Sequence, residues 1–191
     1  MALKKPKYKD LIFLVIVALF FIPQTRKPIQ IFVNKGLALI SPSTINSEKQ
    51  KAIPSYNLIL KDENGTIFNF ETTKGKIVLV NFWATWCPPC IAEMTSMQKL
   101  YKDYKDKVTF VFVSDESFNV VNPFLEKNNY TFKVYQPVTN YNNIFKVSSI
   151  PKTFLINQKG NVIIEKTGAA NWNSNSVRNT INSLLATKNK I

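Results

Sequence analysis

Two cysteines are the only thiols in this 191-residue chain, and they stand three residues apart as Cys87 and Cys90, with Pro88 and Pro89 between them. Scattered at random, two cysteines fall at this spacing in about 1% of arrangements, so the pair asks for a chemical reason. A three-residue offset on one helical turn holds two sulfurs within disulfide range. A pair so held can pass between dithiol and disulfide by thiolate exchange. The competing reading is a structural disulfide, but such a bond stabilises mainly by closing a longer loop, and this one closes almost none. Histidine is absent, which excludes Cys/His zinc sites and the Cys-x-x-Cys-His haem attachment pattern, and no cofactor or metal is expected.

The elements around the pair position it. Residues 77–83 form a near-continuous apolar run, the pattern of a strand covered on both faces. After the cysteines, Ile91, Met94, Met97, Tyr101 and Tyr104 recur at three- and four-residue intervals, predicting an amphipathic helix. The sulfurs then sit at a helix N-terminus, where the macrodipole favours the reactive thiolate. Residues 108–113 predict a second buried strand in a parallel strand-helix-strand unit. Upstream, residues 56–60 and 66–70 predict a hairpin turning at Asn64 and Gly65. Downstream, the expected order is a helix at 118–125, a strand at 131–135, a helix at 140–147, a hairpin of 153–156 with 161–165, and a closing helix marked by Val177, Ile181, Leu184 and Leu185. The class is α/β with a mixed sheet flanked by helices.

The N-terminal part has a different character. Residues 11–22 are an unbroken apolar run behind Lys4, Lys5, Lys7 and Lys9, and Pro23 closes it. No small-x-small cleavage site follows, so residues 1–28 read as an uncleaved membrane anchor in preference to a removed signal, with a buried helix as the remaining alternative. Lysines before the run, against only Arg26 and Lys27 after it, place the N-terminus in the cytoplasm and the domain outside. In 29–54, Ile29, Phe32, Val33, Gly36, Leu37 and Ile40 fall at helical spacing. They fit an interfacial helix and equally a helix packed on its own domain. Residues 41–54 read as a linker, and residues 55–191 as the folded domain. The formal net charge of +13 suits an anionic lipid surface. No nucleic-acid motif accompanies it.

The run VNFWATWCPPC at 80–90, followed by Glu93 and by IPKTFL at 150–155, resembles the TlpA/ResA-like branch of the thioredoxin superfamily. The resemblance implies a thioredoxin fold with an N-terminal β-hairpin extension and a central helix-strand insertion between Ser114 and Asn140. It makes Cys87 the exposed nucleophile and Cys90 the resolving thiol. It makes Pro151 a cis-proline beside the cysteines, with the backbone of Ile150 free to pair with an extended substrate strand. Trp83 and Trp86 are expected to wall that site, and Ile150, Pro151, Trp86 and Pro88 to contact substrate. Asn81 stands where plain thioredoxins keep a buried carboxylate that relays protons. Glu93, one turn past Cys90, matches a family glutamate and can hold or accept a proton while Cys90 becomes a thiolate. A solvated glutamate in the first helical turn remains the alternative.

The resemblance implies a tethered extracytoplasmic thiol:disulfide oxidoreductase. Its partners would be disulfide-containing proteins, apocytochrome c among them, and an upstream membrane dithiol donor. Pro88 and Pro89 withhold two backbone N–H donors from a Cys87 thiolate, which favours a reductant over a strong oxidant. An oxidase or isomerase, and a non-catalytic binding module with Cys87–Cys90 as a staple, are the competing functions.

Overall fold

The structure, a computed structural model, describes residues 8–12 and 23–187. Residues 1–7, which include three of the four N-terminal lysines, and 13–22, which hold most of the expected anchor, lie outside the described residues. Helix α1 (Pro23–Leu37) is followed by strands β1 (Ile59–Lys61), β2 (Ile67–Asn69) and β3 (Val78–Phe82), then helix α2 (Pro88–Tyr104) and strand β4 (Thr109–Val113). Helix α3 (Phe118–Lys127), strands β5 (Val134–Pro137), β6 (Lys152–Ile156) and β7 (Val162–Thr167), and helix α4 (Asn175–Thr187) complete the order.

The strands form one seven-stranded mixed sheet in the order β2-β1-β5-β4-β3-β6-β7. β3 pairs in parallel with β4 and antiparallel with β6. Alternation along β3 explains its unbroken hydrophobicity: Val78, Val80 and Phe82 enter one core with Phe70, Val111, Phe145 and Phe154. Leu79 and Trp83 enter the other, with Met94, Met97, Phe112, Trp172 and Ile181. Asn81 is the polar exception inside this strand and is fully buried. The central strand is thus fixed from both sides, and the cysteine turn that leaves it inherits that rigidity.

Both expected hairpins are present. In the first, the Asp62 carboxylate accepts from the N–H groups of Asn64 and Thr66, and Gly65 takes the left-handed φ of +75° that closes the turn. The helix expected at 140–147 reduces to a 3₁₀ turn at Tyr141–Asn143. There the side chain of Asn140 accepts from the Asn142 N–H and that of Asn142 from the Val147 N–H. Asparagines that bond the local backbone offer it an alternative to the helix.

The stretch at 41–54, read as a linker, lies along the outer side of β7. The Ile45 N–H donates to the Ile163 carbonyl at 2.7 Å, the Val162 N–H to Lys51 at 2.9 Å and the Ile53 N–H to Gly160 at 3.0 Å. Polar composition concealed this because the bonds are made by backbone, which every residue carries; the segment covers what would be an open sheet edge.

Helix α1 begins at Pro23, five residues before the expected start, so Pro28 lies inside it. It packs against α2, as the own-domain reading expects. Of the expected apolar stripe, Ile29 is half-buried, whereas Phe32 (79%), Val33, Gly36 and Ile40 are exposed. Ile31 and Asn34 are half-buried and Ala38 is buried, while Leu39 stays exposed.

Candidate active site

Cys87 is the N-cap of α2, with Pro88 and Pro89 in its first turn. Proline suits that position because a first-turn N–H has no partner within the helix. Cys87 and Cys90 are joined as a disulfide with their Cα atoms 5.2 Å apart. The Cys90 N–H donates to Cys87 Sγ at 3.3 Å. Cys87 Sγ also lies 3.7 Å from the carbonyl oxygen of Ile150, across the cis Ile150–Pro151 bond. The nucleophile, active-site proline and expected substrate-pairing backbone thus meet, although they are more than 60 residues apart in sequence.

Cys87 is much less open than expected of an exposed nucleophile, at 2%. Trp86, Pro88, Pro89 and Ile150 crowd it, and all of them line one groove of about 460 Å³ together with Cys87, Tyr141 and Val147. Cys90 is at 0% and is not part of that lining. The two sulfurs are therefore distinguished by access, in the order that assigns attack to Cys87 and resolution to Cys90. The two tryptophans also separate. Trp86 is 62% exposed at the groove, while Trp83 is core, packed on Phe124 and Phe132.

Glu93 is fully buried, which removes the solvated-face reading. Its Oε1 accepts from Asn81 Nδ2 at 2.9 Å, and its Oε2 accepts from Trp172 Nε1 at 3.0 Å and from the Ala170 N–H at 3.2 Å. Burial raises its pKa to about 8, against the pull of those three donors and of the Lys166 cation. A carboxyl tuned so high is matched to a thiol, whose ordinary pKa is about 8.5. Glu93 can thus hold a proton at neutral pH and exchange it with a cysteine one helical turn away.

Several supporting residues had no signal in the sequence. Trp172 reaches Glu93 from 79 residues downstream. Glu116 accepts from the Thr85 N–H at 2.6 Å and the Thr85 hydroxyl at 2.7 Å, fixing the turn that enters the cysteine motif. Tyr141 lines the groove and donates to Asp115 Oδ2 at 2.8 Å. Burial and that carboxylate push its phenol up to about 12, so it stays a donor at neutral pH. Among the described residues no group of acidic, histidine or cysteine side chains could hold a metal ion.

Comparison with known proteins agrees with this geometry. The Redoxin family model matches residues 48–184. Over 124 residues the chain is 34% identical to the thioredoxin-like protein YneN of Bacillus subtilis, a match spanning 63% of this chain and 72% of that protein. It is 37% identical over 115 residues to the thiol-disulfide oxidoreductase ResA of the same organism, spanning 59% of this chain and 64% of ResA, just under two thirds of the relative's length. A thiol:disulfide interchange protein of the thioredoxin family from Chlorobium tepidum superposes with a TM-score of 0.56 at 25% identity, covering 69% of this chain and 97% of that one. With the dithiol at a helix N-terminus, the cis-proline against it and a buried glutamate one turn on, the chain belongs to the Redoxin family, as a ResA-like thioredoxin-fold thiol-disulfide oxidoreductase.

Proposed function

We propose that the chain reduces protein disulfides from a tethered position on the outer face of a cytoplasmic membrane. The observation that carries the direction is the poverty of donors at Cys87: prolines occupy 88 and 89, and one backbone N–H, that of Cys90, reaches its sulfur. A strong oxidant must stabilise its reduced thiolate heavily, and this site is not built to do so. In the cycle, the Cys87 thiolate attacks a substrate disulfide, one substrate sulfur leaves as a thiolate, and a mixed disulfide forms. Glu93 in its ionised form then takes the Cys90 proton, and the Cys90 thiolate attacks Cys87 Sγ, displaces the second substrate sulfur as a thiolate and closes the Cys87–Cys90 disulfide. Two electrons have moved from the enzyme dithiol to the substrate, and a membrane dithiol donor must return them. The resemblance to the TlpA/ResA-like branch extends the proposal to apocytochrome c cysteines, an analogy of family and not of site. Equilibration with thiol buffers tests the direction. The expected potential lies near the value of about −270 mV typical of thioredoxin, and one near about −120 mV would indicate an oxidase.

The tether is supported by the apolar run at 11–22 behind basic residues and by the exposed apolar residues Phe32, Val33, Leu39 and Ile40 further along the chain. Among the described residues no helix is long and apolar enough to cross a membrane. A run of 12 residues covers roughly 18 Å of a hydrocarbon core about 30 Å thick, so an adjoining interfacial stripe would supplement it. Full-length protein is expected to stay with membranes through carbonate extraction and to expose Cys87, after reduction, to impermeant thiol reagents from outside. A soluble form beginning near residue 24 would show a cleaved signal instead.

A further inference from the structure

The Glu93 pocket holds a polar atom that its present hydrogen bonds do not satisfy. Asn81 Nδ2 donates to Glu93 Oε1 at 2.9 Å and to Thr153 Oγ1 at 2.7 Å, whereas Asn81 Oδ1 is buried and has no partner. A buried unsatisfied acceptor is costly and calls for an explanation. Every hydrogen bond to the Glu93 carboxyl comes from a donor: the Asn81 amide, the Ala170 N–H and the Trp172 indole. Three donors suit a carboxylate, which only accepts. They do not suit a carboxylic acid, whose O–H needs an acceptor.

We propose that the Asn81 side-chain amide is a two-position rotor that turns over as Glu93 gains or loses its proton, making Asn81 a positioning residue for the acid/base group. The two orientations of an asparagine amide have almost the same shape, so the turn needs no repacking. In the charged state the observed arrangement applies. In the neutral state, a half-turn about the side chain brings Oδ1 to the place of Nδ2, where it accepts from the Glu93 O–H. Glu93 Oε2 keeps its bonds from Ala170 and Trp172, and the Thr153 hydroxyl turns to donate to Oδ1. Each state leaves one end of the Asn81 amide unpaired, so neither is locked. That balance lets the proton on Glu93 decide between them.

Among the described residues, the groups that act on the Glu93 carboxyl are Asn81 from β3, Ala170 and Trp172 from the loop after β7 and the Lys166 cation from β7, and the cysteine pair precedes it on its own helix. Thr153 is the cross-strand neighbour of both Asn81 and Lys166 and stands two residues after Pro151. The rotor therefore joins the acid/base group to the strand that carries the cis-proline. Where plain thioredoxins keep a buried carboxylate, this chain has an amide that cannot relay a proton but can respond to one.

The rotor rests on reading Glu93 as the group that trades protons at the dithiol, and nuclear magnetic resonance separates the two claims. In oxidised full-length protein neither cysteine titrates, and the Glu93 carboxyl carbon is followed from pH 5 to 10. The Asn81 amide resonances are expected to move with the same midpoint, and the contact of its protons with Thr153, present above that midpoint, is expected to be lost below it. In Glu93→Gln the Asn81 amide is expected to hold its low-pH position throughout. In Asn81→Ala the donor to the charged form and the acceptor for the neutral form are lost together, so the Glu93 midpoint should move by well under one unit; a static amide that only donates would let it rise by about one unit. A Glu93 carbon that titrates while the Asn81 amide stays silent overturns the rotor alone. A Glu93 carbon that does not titrate in this range overturns both.

Discussion

Cys87→Ser is expected to reduce catalysed insulin-disulfide reduction to the uncatalysed background, whereas Cys90→Ser should stop turnover yet accumulate a mixed disulfide on Cys87. The asymmetry follows from access. Cys87 lines the groove under Trp86, next to the Ile150 carbonyl, while Cys90 is enclosed behind it and meets only a sulfur already held at Cys87. Without Cys87 no substrate sulfur is captured. Without Cys90 the captured one is not released, because resolution needs an intramolecular thiolate that no other residue supplies. Mass analysis of the adducts checks both variants. Equal residual activity, or an adduct on Cys90 in the Cys87→Ser protein, would reverse the assignment.

Glu93→Gln is expected to slow disulfide exchange at neutral pH by about 10²-fold, the scale of a lost general acid/base. The limb of the pH–rate profile near pH 8 should disappear with it. The same substitution has a stability consequence whose sign follows from the raised pKa. An unfolded Glu93 loses its proton near 4.5, and the folded one keeps it to about 8. Between those values the folded state binds the extra proton, so its contribution is complete below pH 4.5, falls as pH rises towards 8 and changes no further above. The largest slope is about 1.4 kcal/mol per pH unit. Urea unfolding of the oxidised protein at pH 5, 7 and 9 should show this decline in the native chain and not in Glu93→Gln, whose stability relative to native should therefore rise from pH 5 to pH 9. Parallel curves for the two proteins would mean that Glu93 is ionised at neutral pH despite its burial.

The parts of this site that local sequence exposes are those made by neighbours in the chain. The run at 77–83, the cysteine spacing and the helical periodicity after it define a strand-turn-helix within about 30 residues, and the structure has it there. The cis-proline was legible only through resemblance, since nothing around Ile150 and Pro151 marks that bond. Glu93 was ambiguous for a physical reason: a glutamate near a helix start looks the same in sequence whether water or a folded chain surrounds it. The side chains that bury it, Asn81 and Trp172, come from a strand before it and a loop 79 residues after it. The polar residues of 41–54 read as a linker, while the backbone groups of the same stretch bind β7. At α1 the periodicity did not foretell burial: Ile29 is half-buried, but Phe32 and Val33 of the same apolar set are exposed although the helix packs against α2.

The proposed chemistry requires Cys87 to be the accessible sulfur of a reversible dithiol, and alkylation after mild reduction measures that directly. Full-length protein would be treated with a small excess of dithiothreitol, quenched with iodoacetamide near neutral pH and mapped by peptide mass. The expected result is rapid labelling of Cys87, with Cys90 labelled only after unfolding, and loss of all labelling once the disulfide is reformed by oxidant. A Cys87–Cys90 bond that survives mild reduction with both sulfurs unlabelled would make the pair a structural staple and contradict the account.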